Sequence, residues 1–523
     1  MERIFQFVDG LFAGVVPVAD FLWDFPTNLE FYRNIPILGQ FSLAFILLLG
    51  AGVFFTFRLG FVQVRFFKRA VKLLVTKTQA EIGTKPVTAF LLSTASRVGA
   101  GNIVGVTGAI TIGGPGAVFW MWVSAFFGMS LAFAEATLAQ IFKERKGDEY
   151  VGGLTFYVQR VWGNFKAVGF IMCLFYLTYN MLSIPVHTFH VFTASSSMID
   201  TVIGRTSSIS DPIYYVIAIA IILAIIAMIF SGIHKVTRVT DRIVPLMALA
   251  YSVLVIAMII MNFHILPDFF ASVIAGAFKP LSIFGGAFGV AMAQGIKRGL
   301  MSNEAGMGTV TQAAAISDAN HPCEQGLLQG LGVFLDTMVI CTCTGFLVTA
   351  GQLWAIDSAD WGAMKANKIQ VFLQSIRALV PGEGLDAAVV VFAAACFWLF
   401  AFTTLLSDLI FAEVAANKIS RSKAFINFIR GLGAIFFVPL GTLTVLAGLQ
   451  LDNLWYVSDL INVLLVLINI PTLLMARKYI IAAYRDYAER KGGRFVAEDI
   501  GVESDVWTRT ASQRAARGER YAD

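Results

Sequence analysis

Charged side chains are scarce in this sequence. Lys, Arg, Asp and Glu make up 14% of its 523 residues, against about a quarter in soluble domains. The formal net charge is only +5, and the basic residues fall in loops between apolar runs. A nucleic-acid-binding chain needs a concentrated basic face, so that class is excluded. Cysteine is scarce too: Cys173, Cys323, Cys341, Cys343 and Cys396. Four of them sit in apolar stretches, and Cys341-x-Cys343 has neither a second pair nor a nearby histidine. The thiols read as core packing, not as a disulfide framework or a metal site. His187, His190, His234, His264 and His321 show no ligand spacing. Nothing resembles a nucleophile beside its base, so an enzyme lacks candidate catalytic residues.

What the chain has instead is apolar length. Hydrophobic residues make 57% of it, and the mean hydropathy is +0.74. Apolar runs fall near 38–57, 87–112, 116–141, 165–190, 213–230, 242–262, 270–296, 326–350, 385–413, 425–449 and 455–476. Each can cross a hydrocarbon core of about 30 Å. An all-α polytopic membrane protein with about eleven transmembrane helices follows.

Orientation comes from Lys and Arg. The first connection, RLGFVQVRFFKRAVKLLVTK, is densely basic and expected in the cytoplasm. Alternation then puts Lys143 to Lys146, Lys235/Arg238, Lys297/Arg298, Lys418/Arg421/Lys423 and Arg477/Lys478 there as well. The N-terminus is expected outside and the C-terminus inside. Residues 1–37 lack the basic start and cleavage site of a signal peptide and read as a retained interfacial segment, anchored by Trp23 and Tyr32. Residues 38–478 form the transmembrane core. The tail, 479–523, mixes both signs of charge and is expected to be solvated and partly disordered.

One stretch breaks the apolar pattern. RVGAGNIVG, residues 97–105, puts an arginine, an asparagine and three glycines in the middle of the second run. Gly99-Ala100-Gly101-Asn102 can leave helical geometry at little steric cost. Unwound backbone at that depth is tolerated only against protein or a wet cavity, where freed carbonyls can ligate a cation and freed amides an anion. Gly101-x-x-x-Gly105 also fits a helix-packing motif. A dinucleotide fingerprint does not fit, since no strand precedes it. A second interrupted run, PLSIFGGAFGVAMAQGIKRG, holds Gly285-Gly286, Gly289 and Gly295 and begins five helices later. An odd number of helices per repeat inverts the two halves, here 87–262 and 270–478. Two broken helices in matching places mark the midplane site of a transporter.

Arg97 must find a partner or water inside the membrane. Glu135, Asp336 and Glu304 are the candidates, as a structural ion pair, a gate, or both. Thr403-Thr404, in FAFTTLLSD, could complete a sodium site with carbonyls of the first break, although threonine commonly bonds its own helix.

These stretches resemble the alanine/glycine:cation symporters, also called the sodium:alanine symporter family. The resemblance rests on FVQVRFF (61–67), RVGAGNIVGV (97–106), GGPGAVFWMWVSAFFGM (113–129), QGIKRGLMSNEAGMGT (294–309), HPCEQG (321–326), GVFLDTMVICT (332–342) and FAFTT (400–404). It implies the inverted five-plus-five fold of sodium-coupled amino-acid transporters with one extra N-terminal helix. It further implies uptake of a small neutral amino acid, alanine or glycine, with co-transported sodium across the plasma membrane; a monomer suffices. The substrate carboxylate would lie on amides of Gly99 to Asn102, and its amine and side chain towards Phe284, Gly285 and Gly286. Sodium would lie between Gly99, Asn102, Thr403 and Thr404, with Arg97 and Glu304 as a gate.

Two positions depart from the family pattern. Ser183 replaces a glutamine in the fourth span, and Ser407-Asp408 replaces Gly-Trp after the threonines. Both would enlarge the pocket, and Asp408 would add a carboxylate to it. Coupling to protons, or a larger or basic amino acid, is the alternative within transporters. A channel or sensor would need a selectivity loop or a ring of charges, and neither is visible.

Overall fold

The computed structural model describes residues 10, 14–35, 38–76, 82–147, 149–204, 211–230, 233–278, 288–352, 368–382, 384–420, 422–446, 452–489 and 494–509. Among these, eight helices are long and apolar enough to cross a membrane, with three shorter apolar helices beside them. A helix satisfies its own amides and carbonyls, which hydrocarbon cannot do.

In chain order the principal helices are α1 (Leu43–Arg58), α2 (Pro86–Arg97), α3 (Val106–Gly113), α4 (Gly116–Ile141) and α5 (Lys166–Ile203). Then come α6 (Pro212–Phe230), α7 (Ile233–Met261), α8 (Leu266–Phe278), α9 (Phe288–Asn303) and α10 (Pro322–Ala350), the last π-helical at Phe334–Cys341. The chain closes with α11 (Lys368–Leu379), α12 (Leu385–Ile419), α13 (Lys423–Leu446), α14 (Asp452–Met475) and α15 (Arg477–Glu489). The run expected at 165–190 continues as one helix to Ile203, carrying Pro185 inside it.

Burial sorts these helices. The apolar window of α6 has the highest mean hydropathy, 3.0, yet only 28% of it is buried, and for α7 the share is 33%. Their side chains are left for lipid. In α4, α10 and α12 the share is 67%, so these form the packed interior. Small residues allow the close approach of α4 to its neighbours. A Cβ added to Gly326 of α10 would strike Thr137 and Phe133, and one added to Gly299 of α9 would strike Ser124.

Three expectations change. Lys297 and Arg298 do not lie in a loop, because α9 runs on to Asn303. Lys297 Nζ sits 5.2 Å from the ring centroid of Trp23, on the side of the N-terminal segment. Trp23 itself is not a surface anchor. It is 4% exposed and donates its indole N–H to the Asp459 carbonyl at 2.8 Å, so the helix Val16–Asp24 is clipped to α14.

The tail differs as well. Residues 494–509 are seated against the end of α4 and residues 316–321, because an aromatic pair outweighs the charge around it. Trp507 is fully buried, donates to the Gln140 carbonyl at 2.7 Å and packs on Phe495 with centroids 5.6 Å apart. Arg494 lies 3.6 Å from Asp318. Lys143 donates to the Ser317 carbonyl at 2.6 Å under the rings of Tyr150 and Trp507, and burial pushes its ammonium well below the usual lysine range. The clamped loop also holds the chain entering α2, through Thr84 N–H to Ile316 O at 3.0 Å and Asp318 N–H to Thr84 O at 2.8 Å. Trp507→Ala is therefore expected to cost about 3–5 kcal/mol at this contact. Limited proteolysis of the purified protein checks it: cleavage within 494–509 should accelerate at least tenfold, and an unchanged rate would mean the segment is not held by Trp507.

Candidate functional site

The first interruption is where the sequence puts it. α2 ends at Arg97, and Val98 leaves helical geometry with φ −78° and ψ 79°. The Gly99 N–H then bonds the Arg97 carbonyl and the Asn102 side-chain oxygen, each at 2.9 Å. A π-helical turn, Gly101–Gly105, leads into α3. Glycine is required at 99 because a Cβ there would fall on the Thr404 hydroxyl of α12. Nothing lies within 4 Å of a Cβ at Gly101, so packing does not explain that residue.

Phe284, Gly285 and Gly286 lie outside the described residues. The structure does describe a second interruption, farther along the chain. Helix α9 stops at Asn303, residues 304–310 are irregular, and a short helix resumes at Thr311–Ala315. Glu304, Gly306 and Gly308 all have positive φ, at 55°, 85° and 76°; for glutamate that conformation is strained and needs support from its surroundings. The depth suits a broken membrane helix. A Cβ at Gly295 would meet Ala117, Gly128 faces Ala305, and Gly306 faces Leu131, so the chain descends along α4 and breaks beside its middle. The signal was present in the sequence. Arg97-x-Gly99-x-Gly101 and Glu304-x-Gly306-x-Gly308 share one pattern, an ionisable residue followed by Gly-x-Gly.

The two interruptions touch. Arg97, 2% exposed, donates Nε to the Asn303 carbonyl at 2.8 Å and Nη1 to the Gln329 side-chain oxygen at 2.7 Å. Ser96 donates to Glu304 Oε1 at 2.9 Å, and Thr309 to Glu304 Oε2 at 2.5 Å. Glu135 of α4 supports the irregular segment from behind, accepting from Gly306 N–H at 3.2 Å, Gly308 N–H at 3.1 Å and Asn469 at 3.2 Å. None of Glu135, Asp336 and Glu304 forms an ion pair with Arg97 within 4 Å. Arg97 and Glu304 instead tie the breaks through separate partners, a carbonyl and a serine.

Beside the first break lies a buried carboxylate with only neutral donors. Asn102 donates to Asp336 Oδ1 at 2.6 Å, Ser302 to Oδ2 at 3.0 Å and Thr337 to Oδ2 at 2.7 Å. Asp336 thus joins the first break, the end of α9 and the π-helical stretch of α10, and its sequence signal was a lone acid in an apolar run. The two threonines divide. Thr404 reaches the Ala95 carbonyl beside the break as well as the Phe400 carbonyl of its own helix, each at 3.0 Å. Thr403 is turned to the Met247 sulfur at 3.3 Å and to its own helix, because neighbours on a helix point about 100° apart. Ser183 donates back to Tyr179 O at 2.9 Å. Asp408 meets a residue that the sequence had not singled out, His187, at 3.4 Å.

Chemically, this is a set of hard oxygens (freed carbonyls, hydroxyls and one carboxylate) converging on unwound backbone inside apolar protein. Such donors suit a small monovalent cation and the polar ends of a zwitterion.

A family model described as the sodium:alanine symporter family matches residues 32–497. The amino-acid carrier protein AlsT of Bacillus subtilis (strain 168) is 34% identical over 88% of this chain and 92% of its own length. The sodium/alanine symporter AgcS of Methanococcus maripaludis is 32% identical, over 87% and 95% respectively. The probable sodium/glutamine symporter GlnT of Bacillus subtilis (strain 168) is 31% identical, over 86% and 88%.

Proposed function

The chain belongs to the sodium:alanine symporter family, and on that premise we propose that it imports a small neutral amino acid of the alanine or glycine class together with sodium. The family is one of membrane transporters rather than enzymes. The observation that carries the finer reading is the meeting of the two interruptions: Arg97 reaches Asn303, and Ser96 reaches Glu304. Amides at Gly99 to Asn102 would take the substrate carboxylate, and the segment 304–310 would face its amine. Sodium would be held by carbonyls before the first break and by the Thr404 hydroxyl, whose bond to Ala95 O marks the place. Asp336 would add negative charge close by.

In this reading the helices form two inverted repeats of five, 87–262 and 270–478, with α1 ahead of them. The basic connections Arg58 to Lys72 and Lys143 to Lys146 would be cytoplasmic in a plasma membrane. Transport proceeds by rocking the pair of broken helices against α5 and α12, and coupling requires that each ligand strengthen the binding of the other.

The test is uptake of labelled alanine into proteoliposomes under an inward sodium gradient. Replacing sodium by potassium should cut initial uptake at least tenfold. Thr404→Ala should raise the sodium concentration for half-maximal uptake by about tenfold, the loss of one buried ligand contact. Equal uptake in both salts would end the sodium reading, and faster uptake of glutamine than of alanine would move the substrate class.

A further inference from the structure

The long helices α5 and α12 pack along most of their length, and between them they bury an imidazole and a carboxylate. His187 Nε2 is 3.4 Å from Asp408 Oδ2, with side chains 14% and 5% exposed. Neither Asp408 Oδ2 nor His187 Nδ1 has a hydrogen-bond partner among the described residues. A pair serving only to hold helices together would be closed by further donors, as Asp336 is, because buried polar atoms are rarely left unmatched.

The surroundings link this pair to the moving parts. One turn before Asp408, Thr404 donates to Ala95 O at 3.0 Å, and the adjacent Ser407 donates to Leu92 O at 3.4 Å. Both acceptors belong to α2, the first half of a broken helix. Glu304, at the other interruption, acts electrostatically on Asp408. From α5 the pair is faced by Tyr176, Tyr179 and His190, and Lys368 of α11 acts on His190.

We infer that His187 and Asp408 form a proton-binding site on the stationary side of the transport path, filled and emptied as the broken helices move past it. The inference rests on reading the chain as an alternating-access carrier. When filled, one proton is held as an O–H bond at Asp408 Oδ2 directed at the lone pair of neutral His187 Nε2, and the pair is neutral overall. Emptying breaks that O–H bond and passes the proton to water, leaving a lone carboxylate beside a neutral imidazole. In a desolvated setting that charge is costly, so release has to await water. Movement of α2 and of the 304–310 segment changes both the access of water and the negative charge beside Asp408. Transport therefore carries a pH dependence of its own, beside the sodium dependence.

The experiment uses proteoliposomes with a sodium gradient, equal pH on both sides from about 5.5 to 8.5, the range into which burial carries a carboxyl group, and a lumenal pH dye. For the wild type, lumenal pH should move in step with alanine uptake, and the rate should vary at least fivefold across the range. Asp408→Asn and His187→Gln, each normalised to its own maximum, should vary less than twofold and move no lumenal pH. Wild-type profiles retained in both variants would overturn the site. Should a variant not transport, the rise in thermal midpoint produced by sodium plus alanine is measured against pH on the purified proteins. It should depend on pH in the wild type and not in the variants, and equal dependence overturns the site. Absence of sodium-driven uptake in the wild type would strike the carrier reading instead, and the midpoint comparison would still decide the proton site.

Discussion

Arg97→Ala should abolish alanine uptake and lower the stability of the purified protein by about 3–5 kcal/mol, the cost of breaking a buried charged network from one side. Arg97 is the cation whose field reaches Glu304, Glu135 and Asp336, and its fork joins the Asn303 carbonyl to Gln329. Alanine would leave those acceptors unmatched and three carboxylates without a common counter-charge. Lysine at 97 keeps the charge but not the fork, so it should recover part of the stability and little of the transport. Thermal unfolding in detergent and initial uptake, measured on the same preparations, separate the two effects. A stable, inactive Arg97→Ala protein would mean that the arginine acts on the ligands and not on the architecture.

Asn102→Ala should reduce uptake by about 100-fold, because one side chain performs two tasks. Its oxygen holds the Gly99 N–H, and its amide donates to Asp336. Removing it opens the turn and leaves a buried carboxylate short of a donor, a loss of about 3 kcal/mol. Asp336→Asn should be comparably damaging. The two losses should not add: a double variant no worse than the single ones is expected when both act through one contact. Additive losses, near ten-thousandfold together, would show that Asn102 and Asp336 serve separate sites.

Much of this molecule was legible in its residues. Runs of about 20 apolar residues, punctuated by basic loops, mark a helical membrane protein, because hydrocarbon leaves the backbone no other partner than itself. RVGAGN marked the first break, because glycine beside an embedded arginine and asparagine makes poor helix and costly hydrocarbon. The second break was harder. Of the glycines that drew attention, 285 and 286 lie outside the described residues, while helix persists through Gly289 and Gly295: Gly295 serves close approach to Ala117 and Trp120, and local sequence cannot distinguish that use from unwinding. The informative feature was the pairing of Glu304 with Gly306 and Gly308.

Tail and N-terminal segment teach the same point, since the burial of Trp507 and Trp23 depends on what α4 and α14 present to them. Composition and periodicity by themselves determined the helical membrane class and the first unwound turn, since these follow from the solvent and from each residue's own conformational preference. Only the tertiary structure decided that Arg97 bonds a carbonyl instead of a carboxylate, that Thr404 and not Thr403 faces the break, and that Asp408 meets His187. Those choices depend on contacts between residues more than 200 positions apart in all three cases, and no local preference encodes them.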